Sequence, residues 1–141
     1  MRRVLVVDDD PTVARLAAIA LRQADLQCTV DYCSDGAQGR IKAAGGQYDL
    51  VVLDLAMPFM GGEEALAEMK RNPKSARTPV VVVTALEDPE LHQRVAALGA
   101  VTVIPKPFHL WQLVDVVSVL FAGKMPPAPD AGREPGPMSG T

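Results

Sequence analysis

Five short strand-like runs alternate along this chain with five stretches of helical spacing, and that alternation limits the fold more than any other feature. The runs are Arg2 to Val7, Gln27 to Cys33, Leu50 to Leu53, Pro79 to Val83 and Val101 to Ile104. Most are continuously apolar, which suits strands covered on both faces. Between them lie helical stripes: Val13, Leu16, Ala17, Ala20, Leu21 and Ala24, then a weaker helix over 35–44, then 63–71. Leu91, Val95 and Leu98 form the next stripe, and Leu110, Leu113, Val114, Val117, Leu120 and Phe121 the last. Strand and helix in strict alternation predict an α/β fold, a doubly wound five-stranded parallel sheet with helices on both faces. All strand C-terminal ends then share one edge, where open α/β sheets place ligand chemistry.

Local signals mark the element ends. Asp10-Pro11 and Asp88-Pro89 each read as an N-cap followed by the first helical residue. Ser34 is the expected cap of the second helix, and Gly45-Gly46 its expected end. Glu63 and Glu64 sit at the positive end of the third helix, with Lys70 and Arg71 at its negative end. Asn72-Pro73 stops that helix, and Gly99 closes the next. His109 takes the cap position of the last helix, as an exposed imidazole and a poor cap. His92 is expected to be a solvated helix residue. From Gly123 onward the composition turns to Pro, Gly and Ser with almost no large apolar group. Residues 1–122 are therefore expected to fold, and 123–141 to form a disordered tail or linker.

Composition narrows the function classes. The net charge of -3 provides no basic field for nucleic acid, and the tail carries no helix-turn-helix pattern. No apolar run approaches the length of a membrane span. Arg2-Arg3 before Val4 to Val7 imitates the start of a signal peptide, but three aspartates cut it short, so a cytoplasmic location is expected. Cys28 and Cys33 lie five apart on one strand, face opposite ways and are expected to stay reduced.

The strand ends carry the chemistry. Asp8 and Asp9 follow the first strand, Asp54 ends the third, Thr84 ends the fourth and Lys106 follows the fifth. Converging carboxylates repel unless a cation lies among them. Oxygen-only ligands without Cys or His suit a hard ion, Mg2+ before Ca2+. A divalent cation, a lysine and a donor hydroxyl around one carboxylate are what phosphoryl transfer requires.

These residues resemble the receiver domain of two-component response regulators. Val4 to Pro11 matches the family's first strand and acidic pair. Asp49 to Gly62, with Asp54, Met57 and Pro58, matches its phosphoacceptor strand and loop. Pro79 to Ala85 matches its fourth strand, and Ile104-Pro105-Lys106-Pro107-Phe108 its Lys-Pro-Phe signature. The resemblance covers about residues 2–122 and implies the (βα)5 flavodoxin-like receiver fold of a single-domain type. It implies Asp54 as phosphoacceptor, fed by a sensor histidine kinase or phosphotransfer protein. It also implies Mg2+ held by Asp8, Asp9, Asp54 and the backbone carbonyl of Ala56. Thr84 and Lys106 would hold phosphoryl oxygens, with a cis bond between Lys106 and Pro107. Asp10 remains a helix cap. A downstream protein would bind the fourth helix, fifth strand and fifth helix, and the chain would be a self-catalysed phosphoacceptor, not a turnover enzyme.

Some positions depart from the family pattern. Val103 stands where many receivers carry a mobile Tyr or Phe. Ala56 and Leu86 stand where polar groups often govern the hydrolytic water, so slow self-dephosphorylation is expected. Trp111 and Phe59 are candidate partner contacts. Two alternatives stay open: a receiver-like interaction module that is never phosphorylated, and a Mg2+-dependent phosphohydrolase. The latter would need an acid where Ala56 stands.

Overall fold

The computed structural model describes residues 2–24, 26–56 and 61–123. The expectations placed on Met57, Pro58, Phe59 and residues 124–141 lie outside them. The strands are β1 (Arg2–Val7), β2 (Cys28–Cys33), β3 (Leu50–Asp54), β4 (Val80–Thr84) and β5 (Thr102–Pro105). The helices are α1 (Pro11–Gln23), α2 (Gly36–Gly46), α3 (Gly62–Arg71), α4 (Pro89–Ala97) and α5 (Leu110–Phe121). The strands form one sheet in the order β2-β1-β3-β4-β5, and every neighbouring pair is parallel. The expected doubly wound five-stranded sheet is therefore present.

The continuous apolar runs have a simple cause. Successive strand residues point to opposite faces, and both faces are covered. Leu5, Val7, Val51, Leu53, Val80 and Val82 pack on one side with Leu66 and Met69 of α3 and Leu91 and Val95 of α4. Val4, Val6, Leu50, Val52, Val81 and Val83 pack on the other with Ala17 and Leu21 of α1 and Leu113 and Val117 of α5. Cys33 lies in the first cluster and Cys28 borders the second, so the two thiols do face opposite ways and are free. Burial pushes the Cys33 thiol up to about 11, which leaves it protonated and inert.

Several local expectations need correction. Ser34 does not cap α2; Asp35 does, its carboxylate accepting the Gln38 amide at 2.8 Å. An ionised acceptor at a helix N-terminus outcompetes a hydroxyl beside it. Gly45 and Gly46 do end α2, as its last two residues, but the left-handed turn that follows falls on Gln47, with φ 53°. A side chain on Gly46 would collide with the Tyr48 ring, since its Cβ would lie 2.3 Å from Cε2. On α1 the buried stripe is Ala14, Ala17, Ala20 and Leu21, whereas Leu16 is 41% exposed. Lys70 lies in the last turn of α3, as expected, and there turns onto the loop that follows. Its ammonium donates to the carbonyls of Ala76 and Thr78 at 3.1 and 2.8 Å, and burial lowers its pKa.

At the edge of the sheet away from the strand C-termini, Arg3 fastens three elements. Its guanidinium lies 4.5 Å over the Tyr48 ring, pairs with Asp31 at 3.0 Å and donates to the Gly46 carbonyl. The Tyr48 hydroxyl donates to the same Asp31 carboxylate at 2.6 Å. Burial and then that acceptor push the Tyr48 phenol up to about 12.

At the opposite edge α3 starts hard against β3. A Cβ on Gly62 would lie 2.2 Å from the Asp54 carbonyl oxygen and 2.5 Å from the Leu55 Cα. These are backbone atoms that cannot swing aside. Gly62→Ala is expected to lower folding stability by about 1–3 kcal/mol. Gly45→Ala, at a helical site with nothing within 4 Å of the new methyl, is expected to raise it by roughly 0.5 kcal/mol. Urea midpoints at unchanged m-value check both signs.

Candidate functional site

The sheet register brings the acids together. Val7 stands beside Leu53 and Asp54 beside Val83, so the ends of β1, β3 and β4 are nearly level. Alternation carries Asp54 to the same face as Leu50 and Val52, the face of α1 and α5. Asp8 continues β1, with its amide donating to the Cys33 carbonyl at 3.1 Å.

Asp8 is fully buried and Asp54 is 4% exposed. One oxygen of Asp8 accepts the Asp10 amide at 2.9 Å, and the other takes the Lys106 ammonium at 2.9 Å. The same ammonium lies 3.6 Å from Asp54 Oδ2, and the Ala56 amide donates to Asp54 Oδ1 at 3.3 Å. Asp9 is exposed, yet one oxygen each from Asp8, Asp9 and Asp54 lie within 4.8 Å of one another. Lys106 is aimed from the end of β5. Its amide donates to the Thr84 carbonyl at 2.7 Å, and its bond to Pro107 is cis, as expected. The Thr84 hydroxyl is fully buried and accepts the Leu86 amide at 3.1 Å.

Electrostatics follow from this packing. Burial raises the Asp54 pKa, and the facing Asp8 and the nearby Asp9 raise it further, while Lys106 and the Ala56 amide pull it down. Burial works against the Lys106 charge, but the Asp8 hydrogen bond and the Asp54 field outweigh it and raise its pKa. One ammonium thus serves a group of three acids and leaves net negative charge. That donor set, all oxygen and all hard, fits a magnesium ion. Asp8, Asp9 and Asp54 would hold it through carboxylate oxygens. Ala56 lies on the same loop, exposed.

Asp10 is set apart from these acids. It is exposed and caps α1 through the Thr12 amide at 2.9 Å, and that backbone hydrogen bond lowers its pKa. The departures from pattern also have places. Val103 is buried in the core with Leu91 and Val95, while Ala56 and Leu86 are exposed. Trp111 is half-buried, with its ring 6.3 Å from the His109 ring and nearly parallel to it. Gln112 receives the His109 amide at 2.7 Å and supplies the reciprocal cap of α5.

Two residues escaped the sequence reading. Gly62 was legible only as a helix start, although a glycine pair directly after the acid-bearing strand hints at a close approach. His92, expected to be solvated, is half-buried, with Nε2 3.3 Å from the Leu86 carbonyl. No spacing rule marks such a contact.

Comparison with known proteins agrees with this architecture. The response regulator receiver domain matches residues 4–118. The chain belongs to the response regulator receiver family. It is 33% identical over 119 residues to the probable chemotaxis protein CheY of Rhizobium etli, covering 84% of this chain and 92% of that protein. It is also 33% identical over 116 residues to the response regulator ArlR of Staphylococcus saprophyticus, covering 81% of this chain but 50% of ArlR. The chain thus spans about half the length of several curated relatives it matches. Chemotaxis response regulator CheY4 of Vibrio cholerae superposes with a TM-score of 0.76 at 28% identity, over 85% of this chain and 98% of that one. A Borrelia burgdorferi structure described as a CheX-CheY-BeF3-Mg complex matches with a TM-score of 0.75 at 25% identity, over 85% and 89% of the two chains.

The raised Asp54 pKa fixes the sign of a pH effect. A carboxyl raised on folding adds stability below its ordinary value of 3.8 and loses it as pH rises through the folded value. Asp54→Asn is therefore expected to be more stable than the parent at neutral pH, without divalent cation. The gap should close well below pH 3.8. Lys106 keeps Asp8 as a partner in that variant. Urea midpoints at the two pH values read the gap, and a gap independent of pH would contradict the raised pKa.

Proposed function

We propose that this receiver domain is a phosphorylation switch in two-component signalling, with Asp54 as its phosphoacceptor. One observation carries the reading: Lys106 stands between the buried carboxylates of Asp8 and Asp54, with Asp9 alongside. The donor is a phosphohistidine on a sensor histidine kinase or a phosphotransfer protein. An Asp54 oxygen attacks phosphorus in line, the bond from phosphorus to the imidazole nitrogen breaks, and the product is an acyl phosphate on Asp54. Lys106 pairs with one phosphoryl oxygen and Thr84 donates to another. Magnesium, when bound by Asp8, Asp9, Asp54 and the Ala56 carbonyl, offsets the charge shared by carboxylate and phosphoryl oxygens.

The chain acts once on itself, as a phosphoacceptor and not as a turnover enzyme. Ala56 supplies no acid for a phosphohydrolase. The intact set of Asp8, Asp9, Asp54, Thr84 and Lys106 supports phosphorylation over a module that never carries phosphate. In this reading residues 1–122 are the switch, 123–141 a tail or linker, and the setting is the cytoplasm. No described helix is long and apolar enough to cross a membrane. A donor protein can approach over the groove of about 460 Å3 that Val13, Leu16, Pro107, Phe108 and Leu110 line beside Lys106. The output surface is the face of α4, β5 and α5.

Incubation with magnesium and a small acyl phosphate is expected to add one phosphoryl group, read by intact mass. Asp54→Ala should abolish the addition, and Lys106→Met should slow it about 100-fold. Failure of the parent protein to gain mass or to bind beryllofluoride would overturn the reading. Neither Ala56 nor Leu86 offers a side-chain hydrogen bond to a hydrolytic water. The phosphoryl group is therefore expected to outlast seconds in the purified protein with magnesium, followed as loss of phosphate over time.

A further inference from the structure

The buried Thr84 hydroxyl is tied to a helix through two steps. It accepts the Leu86 amide at 3.1 Å. The carbonyl of the same Leu86 lies 3.3 Å from Nε2 of His92, on α4. A carbonyl only accepts, so Nε2 carries the proton and donates. Leu86 thus has its amide held by the site and its carbonyl held by α4, with no buried side chain to fix it otherwise, since it is 46% exposed.

The elements around this link are unevenly anchored. Val103 is packed among Leu91 and Val95 and has neither ring nor hydroxyl with which to follow a moving Thr84. The helix α4 buries just Leu91 and Val95. Among the described residues its other side-chain tie to a neighbouring element is Arg94 to Glu63 at the start of α3, at 2.8 Å between half-exposed side chains, a kind of pair worth little in water. The hydrogen of the Thr84 hydroxyl finds no acceptor among the described residues, so the group is free to donate elsewhere.

We propose that His92 is a positioning residue that couples α4 to Thr84 through the Leu86 peptide. This rests on the reading of Asp54 as phosphoacceptor. When Thr84 turns to donate to a phosphoryl oxygen, the Leu86 amide loses or drags its acceptor. The Leu86 carbonyl moves with it, and His92 transmits that movement to α4. The groove of about 370 Å3 between α4 and β5, lined by His92, Ala96, Val101 and Val103, changes shape with it. The coupling gives a receiver with an aliphatic Val103 a route from site to surface.

Two experiments on the full chain test the coupling, one of them independent of phosphorylation. In the resting protein, Thr84→Val removes the acceptor of the Leu86 amide. It is expected to speed exchange of the α4 amides of Val95 and Ala96 about fivefold, the loss of one modest hydrogen bond. In a His92→Ala background the same change should add nothing, and His92→Gln, whose amide can still donate, should restore the effect. Independent, multiplicative effects of the two substitutions would overturn the proposal. In the second experiment, beryllofluoride and magnesium are added while amide chemical shifts are followed. The parent should show changes at Asp54, Thr84 and along α4. His92→Ala should keep the first two and lose most of the third, and His92→Gln should regain it. Changes along α4 as large in His92→Ala as in the parent would overturn the proposal. Absence of any change at Asp54 in the parent would instead refute the phosphoacceptor reading, with the resting-state cycle still deciding the coupling.

Discussion

Asp8 and Asp54 face one another at the end of a parallel sheet, and the Lys106 ammonium between them is what lets two enclosed carboxylates share that space. Each arrives from a different strand, so the contact exists only when β1, β3 and β5 are in register. Burial of the acids is a by-product of covering both faces of the sheet. The same covering raises the Asp54 pKa and leaves the cluster short of positive charge. Fold and chemistry are therefore one constraint: the core that orders the strands also gathers an excess of negative charge that a hard cation can balance.

Much of this was legible because its signals are local and strong. Runs such as Val80 to Val83 cannot be half-exposed strands, and Asp10-Pro11 and Asp88-Pro89 name their own helix starts. The strand-end residues Asp8, Asp9, Asp54, Thr84 and Lys106 needed one assumption, a parallel sheet, to be placed on a common edge. What stayed hidden depends on competition between neighbours. Ser34 and Asp35 are both acceptable caps, and only the field at the helix start favours the carboxylate. Gly45-Gly46 does terminate α2, but nothing in the sequence shows that the Tyr48 ring presses on Gly46 or that Gln47 takes the left-handed turn. Leu16 has the right spacing for the core stripe but looks outward, because α1 approaches the sheet through alanines. His92 shows the limit most plainly: its partner is a backbone carbonyl, which no side-chain pattern can announce.

The departures from the family pattern sit around the site, not in it. Ala56 and Leu86 flank Asp54 and Thr84 with side chains that make no polar contact, while Leu86 joins the site through its peptide group alone. Val103 strengthens the core under α4 at the cost of a movable ring. Such a receiver keeps the acid cluster, the lysine and the hydroxyl, and differs from the family pattern in the side chains that surround them.

The fastening of Arg3 to Tyr48, Asp31 and Gly46 has a consequence for where this molecule can yield. It locks β1, β2 and the turn before β3 at the edge farthest from the acids, and Lys70 does similar service by holding the carbonyls of Ala76 and Thr78 ahead of β4. Local opening is easiest where few groups are tied, and at the strand tips the tie is the Lys106 ammonium, which joins the ends of β1 and β3 to the end of β5. The sheet is thus pinned at one margin by Arg3 and Lys70 and at the other by the Lys106 ammonium, so any change of charge at Asp54 bears directly on the tie that holds the strand tips together.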